Sequence, residues 1–340
     1  MTIAAFMALA LHDPEVGYYA RRQPLGAGGD FVTAPEISQI FGELIGAACA
    51  DFWAQIGGPN PVAVAEFGPG RGTLMSDFMR AAEALPEFRR AARLVLVEAS
   101  PVLRAEQRRR LAVFDPLWVE HPDAVPDGPL LVVANEFLDA LPIRQLVRGR
   151  HNWAERFVAL DPGGRLCFAN GPESPALALL VPMQRRDCKP GTVVEICPAA
   201  ATLAAALADR FTRWSGAAWF IDYGDTKPLG ATLAAIEQHR AVGILDRPGS
   251  ADLSAHVDFT AFAAAARAAG ATVHGPVTQG DFLAALGADV RLASLLRRAT
   301  PAQRASLVSG YRRLIDPDGM GTLFKVLAIT SPGLPTPSGF

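Results

Sequence analysis

Three glycines spaced two apart follow an acid in "VAVAEFGPGRGTLMSDFMRA", residues 62–81: Glu66, then Gly68, Gly70 and Gly72. An apolar run, a glycine turn and a helical pattern in that order aim free backbone N–H groups and a helix dipole at one spot, where a polar or anionic ligand can sit. A second acid, Glu98 in "LVLVEASP", ends the next apolar run, where a carboxylate can accept hydrogen bonds from both hydroxyls of a ribose. A third polar group, Asn135, Glu136 and Asp139, follows "LLVVA". If these apolar runs are strands of one open parallel sheet, all three groups face a crevice at the carboxyl ends of the strands. The plainer alternatives are a tight strand-to-helix connection for the glycines and a capped turn for residues 135–139.

The spacing G-x-G-x-G differs from the dinucleotide pattern G-x-G-x-x-G, because Thr73 stands where the third glycine would be, and this argues against NAD. The form acid-x-G-x-G-x-G, matched by Glu66, Gly68, Gly70 and Gly72, occurs in many methyltransferases that use S-adenosylmethionine, where acid and turn accommodate the amino-acid end of the ligand. Methyl transfer from a sulfonium to nitrogen needs alignment and a suitable electrostatic environment. Paired acids such as Glu136 and Asp139 could orient a guanidinium and raise the nucleophilicity of its nitrogen. Asp222 and Tyr223, ending "WFIDYG", are second candidates, as substrate contacts or as strand-end structure. The histidines show no H-E-x-x-H or other ligand spacing, so no metal is expected, and no G-x-S-x-G elbow supports a serine hydrolase.

Strand and helix patterns alternate from residue 61: "PVAVAEF", a helix from Thr73, "ARLVLVEA", a helix from Pro101, then "GPLLVVANEF". Such βα repeats predict a Rossmann-like α/β fold with a mostly parallel sheet and helices on both faces. Before them, Ile37, Ile40, Phe41, Leu44, Ile45, Ala48 and Phe52 share one helical face, with Thr33 as a cap and Pro35 in the first turn. The stretch around "DPGG" reads as an antiparallel insertion over about 143–190, and a loop insertion spans about 224–257. Residues 1–60 are then an N-terminal helical segment, 61–330 the core, and 331–340 a mobile tail.

Half of the 340 residues are hydrophobic and 19% are charged, which fits a globular enzyme with a large core. A formal net charge of -2 offers no overall attraction for nucleic acid, and "AEQRRRL" reads as a solvated helix face. Cys49, Cys167, Cys188 and Cys197 form no C-x-x-C pair, and no apolar run approaches the roughly 18 residues of a membrane span. With no basic segment in "MTIAAFMALALHDPE", a cytoplasmic location is expected.

Taken together, "HDPEVGYY", "GDFVTAPEISQIFGE", "EFGPGRGTLMSD", "LVEASPVLRAEQ", "ANEFLDALPIRQ", "IDYG", "HVDF" and "MGTLFKVL" resemble the MidA-like family of S-adenosylmethionine-dependent methyltransferases over nearly the whole chain. The resemblance implies a seven-stranded class I methyltransferase core with additions, and a protein arginine methyltransferase activity giving symmetric ω-dimethylarginine. In the mitochondrial members the partner is the 49 kDa-type subunit of NADH:ubiquinone oxidoreductase, in complex I assembly. Carried over, Gly68, Gly70, Gly72 and Glu98 would hold the donor, with Glu66 beside them, while the segment from Gly29 to Gln39, including Thr33, would close over it. Cys197 stands where the family has the serine of E-x-S-P, and "IDYGDTKPLGATLAAIEQH" is shorter than usual. The start at Met1 fits a bacterial-type member. A small-molecule methyltransferase and a non-catalytic assembly factor are the competing readings.

Overall fold

The computed structural model of the chain describes residues 1–21, 32–227 and 230–340. Four helices precede the sheet: α1 (Ile3–His12), α2 (Tyr18–Arg21), α3 (Ala34–Ile37) and α4 (Gln39–Gln55). The expected single helix on the 37–52 face is broken at Ser38, which is extended (φ -157°, ψ 134°) and caps α4 by accepting the Ile40 N–H. That break turns α3 away from the axis of α4.

The alternating segments form β1 (Val62–Phe67), α5 (Thr73–Ala82), α6 (Pro86–Ala91), β2 (Ala92–Val97), α7 (Pro101–Leu111), β3 (Leu117–Val119) and β4 (Leu130–Asn135). A first insertion follows, with β5 (Arg144–Arg148), β6 (Trp153–Leu160), β7 (Leu166–Asn170) and β8 (Val193–Ile196). The chain returns to the core through α8 (Pro198–Arg213) and β9 (Gly216–Asp225), leaves it for β10 (Ala234–Glu237), β11 (Arg240–Val242) and β12 (Asp252–Ser254), and comes back with the short β13 (Val257–Asp258). It finishes through α9 (Phe259–Ala268), β14 (Thr272–Thr278), α10 (Gln279–Ala285), α11 (Ala288–Leu296), α12 (Pro301–Ile315) and β15 (Phe324–Thr330).

Seven strands make the main sheet in the order β14-β15-β9-β4-β1-β2-β3, with β13 extending beside the end of β9. The five from β9 to β3 are mutually parallel, and β15 runs antiparallel to both of its neighbours. All six residues of β4 are buried, as apolar runs covered on both faces should be. Ala200, Leu207 and Phe211 of α8 and Phe259 and Phe262 of α9 fill one face, and α4, α5 and α6 fill the other. The direction of strand addition reverses between β1 and β4, which opens a crevice at their carboxyl ends.

The insertions differ from their expected outlines. The first is an antiparallel sheet, β7-β6-β5-β8, that runs to Ile196 because β8 pairs with β5. Its D-P-G-G turn is tied by Asp161, whose Oδ1 accepts the N–H groups of Gly163 and Arg165. The second carries a three-stranded sheet, β11-β10-β12, where a loop is expected. Helix α1 packs on both: Ile3, Phe6, Met7 and Leu11 meet Val158, Leu233, Ala235 and Leu253. The tail is held, where mobility is expected: the Phe340 ring lies 5.4 Å from that of Phe282, and the Ser338 hydroxyl donates to Asp51 at 2.7 Å.

Helices α4 and α5 approach so closely that side chains would not fit between them. A Cβ added at Gly46 would lie 2.7 Å from the Phe78 carbonyl oxygen, and one at Gly42 would lie 2.8 Å from that of Leu74. Gly46→Ala therefore destabilises the fold by about 1–3 kcal/mol in chemical denaturation; an unchanged midpoint would mean that the helices separate at no cost.

Candidate functional site

Glycine conformation shapes the turn after β1. Gly68, Gly70 and Gly72 have φ of 67°, 53° and 75°, a region that L side chains rarely adopt. Gly68 and Gly70 line a cavity of about 1430 Å³ at the carboxyl ends of the strands, and so do Glu66, Glu98, Asn135, Glu136 and Asp139. The three polar groups read from sequence thus share one crevice. Gly72 lies behind it as the N-cap of α5, where a Cβ would come within 3.0 Å of the Leu111 side chain. Its part is the contact between α5 and α7.

Glu98 ends β2 with one carboxylate oxygen accepting the Ser100 N–H at 2.8 Å and the other accepting the Gln107 side-chain amide at 3.2 Å. A carboxylate has about four acceptor positions, so it keeps capacity for two ligand hydroxyls. Ser100 also caps α7, with Pro101 at the first helical position. Glu66 is 3% exposed, and its Oε2 is buried with no hydrogen-bond partner among the described residues. Burial and the nearby Glu98 push its carboxyl up to about 8. A buried acid with an orphaned oxygen beside a glycine turn is what the ammonium of an amino-acid moiety would satisfy.

On the other side of the crevice, the turn after β4 is held by Asp222 at the end of β9. One Asp222 oxygen accepts the N–H groups of Phe137, Leu138 and Asp139 at 3.1, 2.9 and 3.3 Å, and the other accepts the Tyr223 N–H. Glu136 enters this turn with φ 51°, a left-handed conformation that costs a non-glycine residue about 1–2 kcal/mol. Its Oε1 accepts from the Asn135 amide at 3.1 Å and from the Ala34 N–H at 3.4 Å. Burial and Asp139 push the Glu136 carboxyl up to about 7, and burial pushes Asp139 up to about 6. Asn135 Oδ1 and Asp139 Oδ1 are buried without partners among the described residues. Of the two second candidates, Asp222 faces backbone donors, while Tyr223 lines the cavity with its ring edge-on to His256.

Helix α3 lies across the crevice. Thr33, at its N-cap, makes no capping bond with its side chain and lines the cavity. Glu36 pairs with Arg71 of the glycine turn at 3.3 Å and accepts the Thr73 hydroxyl, while Arg71 pairs with Glu106 of α7 at 2.7 Å. Of the segment expected to close over the donor, residues 29–31 lie outside the described residues, and the remainder is tied to the turn by Glu36. Sequence reasoning missed Glu36, Arg71, Gln107 and the phenol of Tyr19, which donates to Asp252 at 3.0 Å. Nothing in their spacing announces the partnership of Arg71 with Glu36, 35 residues away, or of Gln107 with Gly70, 37 residues away. Cys197 caps α8 without a side-chain bond to it, in keeping with its replacing a serine. Among the described residues no group of His, Cys, Asp and Glu is arranged to hold a metal ion, and no helix is long and apolar enough to cross a membrane.

The strand order, with β15 reversed, and the acids at the ends of β1 and β2 suit an S-adenosylmethionine-dependent methyltransferase, and comparison with known proteins shows that class. The family of S-adenosyl-L-methionine-dependent methyltransferases matches residues 44–277, and the chain belongs to this family. The mitochondrial protein arginine methyltransferase NDUFAF7 of Xenopus tropicalis is 35% identical, over 97% of this chain and 82% of its own length; that of Homo sapiens is 34% identical, over 97% and 80%. A COG1565 superfamily member from Burkholderia thailandensis, crystallised with S-adenosyl-homocysteine, superposes with a TM-score of 0.85 at 31% identity, covering 100% of this chain and 89% of that one. S-adenosylmethionine is accordingly the cofactor. The relatives' names also correct one expectation: they are mitochondrial proteins, which overturns the cytoplasmic location read from the N-terminal residues.

The raised acids couple stability to pH. Glu66 keeps its proton up to about pH 8 when folded and releases it near pH 4.5 when unfolded. The folded state thus binds more protons between these values, and its stability falls as pH rises, by about 1.4 kcal/mol per pH unit for this one proton. Without ligand, the denaturation midpoint falls from pH 5 to pH 8, and Glu66→Gln falls less steeply; identical slopes would place Glu66 in water.

Proposed function

We propose that the chain is a protein arginine N-methyltransferase giving symmetric ω-dimethylarginine, with the 49 kDa-type subunit of NADH:ubiquinone oxidoreductase as its partner in complex I assembly. The observation that carries this reading is the pair of half-buried Glu136 and buried Asp139, just past the end of β4 in the cavity that also holds the glycine turn. Buried acids held near neutrality suit a cation that arrives from outside, and a guanidinium offers planar, directed donors to two of them. The names of the relatives support arginine as the acceptor.

On this reading Glu66, Gly68 and Gly70 hold the amino-acid end of the donor and Glu98 its ribose, with Thr33 above them and Gly72 setting the turn against α7. The bound cofactor supplies an electrophilic methyl group on a positively charged sulfur. Glu136 and Asp139 align the guanidinium, and Asn135 holds Glu136 by its amide. As the new N–CH3 bond forms and the C–S bond breaks, the methylated nitrogen loses a proton. Asp139 or Glu136, raised to about 6 and about 7, can take it.

Two measurements test the assignment. Glu136→Gln should lower kcat/KM for the acceptor by about 100-fold or more in a labelled-methyl transfer assay. It should leave S-adenosylhomocysteine affinity within about threefold by calorimetry; undiminished transfer would remove Glu136 from the reaction. Because the acceptor cation needs ionised acids, kcat/KM should fall as pH drops below about 7, with the break moving lower for kcat once the bound cation favours the carboxylates. A flat profile from pH 5.5 to pH 8 would contradict both roles.

A further inference from the structure

Gln107 of α7 is 0% exposed, and its carboxamide reaches three partners that belong to different parts of the donor side. Its Nε2 donates to the Gly70 carbonyl at 2.8 Å and to Glu98 Oε2 at 3.2 Å, and its Oε1 accepts the Trp118 indole N–H at 2.9 Å. The indole can only donate, and the Gly70 carbonyl and an ionised Glu98 can only accept, so the amide is locked in one orientation. Its Cγ also lies 3.6 Å from the position of a Cβ on Gly72. One side chain thus spans the glycine turn after β1, the acid after β2 and the indole of β3. The other hydrogen bonds to the Glu98 carboxylate are local, from the backbone of Ser100 and Ala99, so Gln107 supplies its side-chain hydrogen bond from α7.

We propose that Gln107 is a positioning residue for the donor: by holding Glu98 Oε2 and the Gly70 carbonyl with one amide group, it fixes the Glu98 carboxylate in the orientation that receives the ribose hydroxyls. This rests on the reading of Glu98 as the ribose-binding acid. Trp118 sets the amide, the amide sets the carboxylate, and the carboxylate selects a ligand with both hydroxyls. The chain of contacts meets the donor side at Glu98 and at the Gly70 turn.

The experiment is a calorimetric cycle with S-adenosylhomocysteine and its 2′-deoxy analogue on the full chain. Hydrogen bonds to an ionised acid predict that the wild-type protein binds the analogue about tenfold or more weakly. Gln107→Met, close in volume and without donors, should bind S-adenosylhomocysteine about tenfold more weakly and discriminate against the analogue by less than about threefold. Trp118→Phe leaves the amide in place and frees it to turn, so it should fall between the two, and it keeps the test open if Gln107→Met does not fold. A merely structural role would lower stability and leave the ratio of the two affinities at its wild-type value, which overturns the proposal. Wild-type protein that binds both ligands equally would instead remove the ribose assignment of Glu98, an outcome distinct from the first.

Discussion

The site depends on one buried carboxylate whose partners are backbone N–H groups. Asp222, at the end of β9, accepts three consecutive backbone N–H groups from the turn after β4, at 2.9 to 3.3 Å. Without it those donors would be buried unpaired, at about 1–3 kcal/mol each, and the turn would have no reason to keep Glu136 left-handed. The parallel pairing of β4 with β9 places acceptor and donors opposite each other. From that constraint follow the placement of Glu136 and Asp139 in the crevice and, through the Ala34 N–H on Glu136, the seating of α3. Strain in one residue is stored because the neighbouring strand overdetermines it.

A second consequence is electrostatic. Glu66, Glu98, Glu136, Asp139 and Asp222 are all pushed up from the usual carboxylate range, each with burial as the leading cause. So many buried acids would be costly if ionised together, and the proton kept by Glu66, whose carboxyl is pushed up to about 8, relieves part of that cost. On the proposed reading, a sulfonium, an ammonium and a guanidinium are the cations that donor and acceptor bring. The two ion pairs Arg71–Glu36 and Arg71–Glu106 stand at the edge of the crevice and tie α3 to the turn and to α7.

What could be read from the sequence follows from the range of the forces involved. The βα alternation, Glu66 with its glycines, Glu98 and the 135–139 cluster were legible because each lies at the end of an apolar run, and strand ends of a parallel sheet converge. Asp222 could be placed at a strand end, yet its three backbone partners are more than 80 residues away, so its task was invisible. The same holds for Gln107 and Glu36, which look like ordinary polar positions on a helix until the fold brings β1 beside them. The sheet of the second insertion was missed because strands of three and four residues carry too little pattern. The tail was read as mobile from its Pro, Gly and Ser content, whereas Leu334 and Phe340 pack against the core.

The central claim is that Glu66 stays protonated until the ammonium of the ligand enters, and proton release on binding tests it most directly. S-adenosylhomocysteine carries an ammonium that, on the proposed reading, settles beside Glu66, whose carboxyl is held at about 8 and so is mostly protonated at pH 7. Calorimetric titration at pH 7 in two buffers of different ionisation enthalpy counts the protons released. The account predicts release of a large fraction of a proton from the wild-type protein and its loss in Glu66→Gln. Binding with the same heat in both buffers would contradict it.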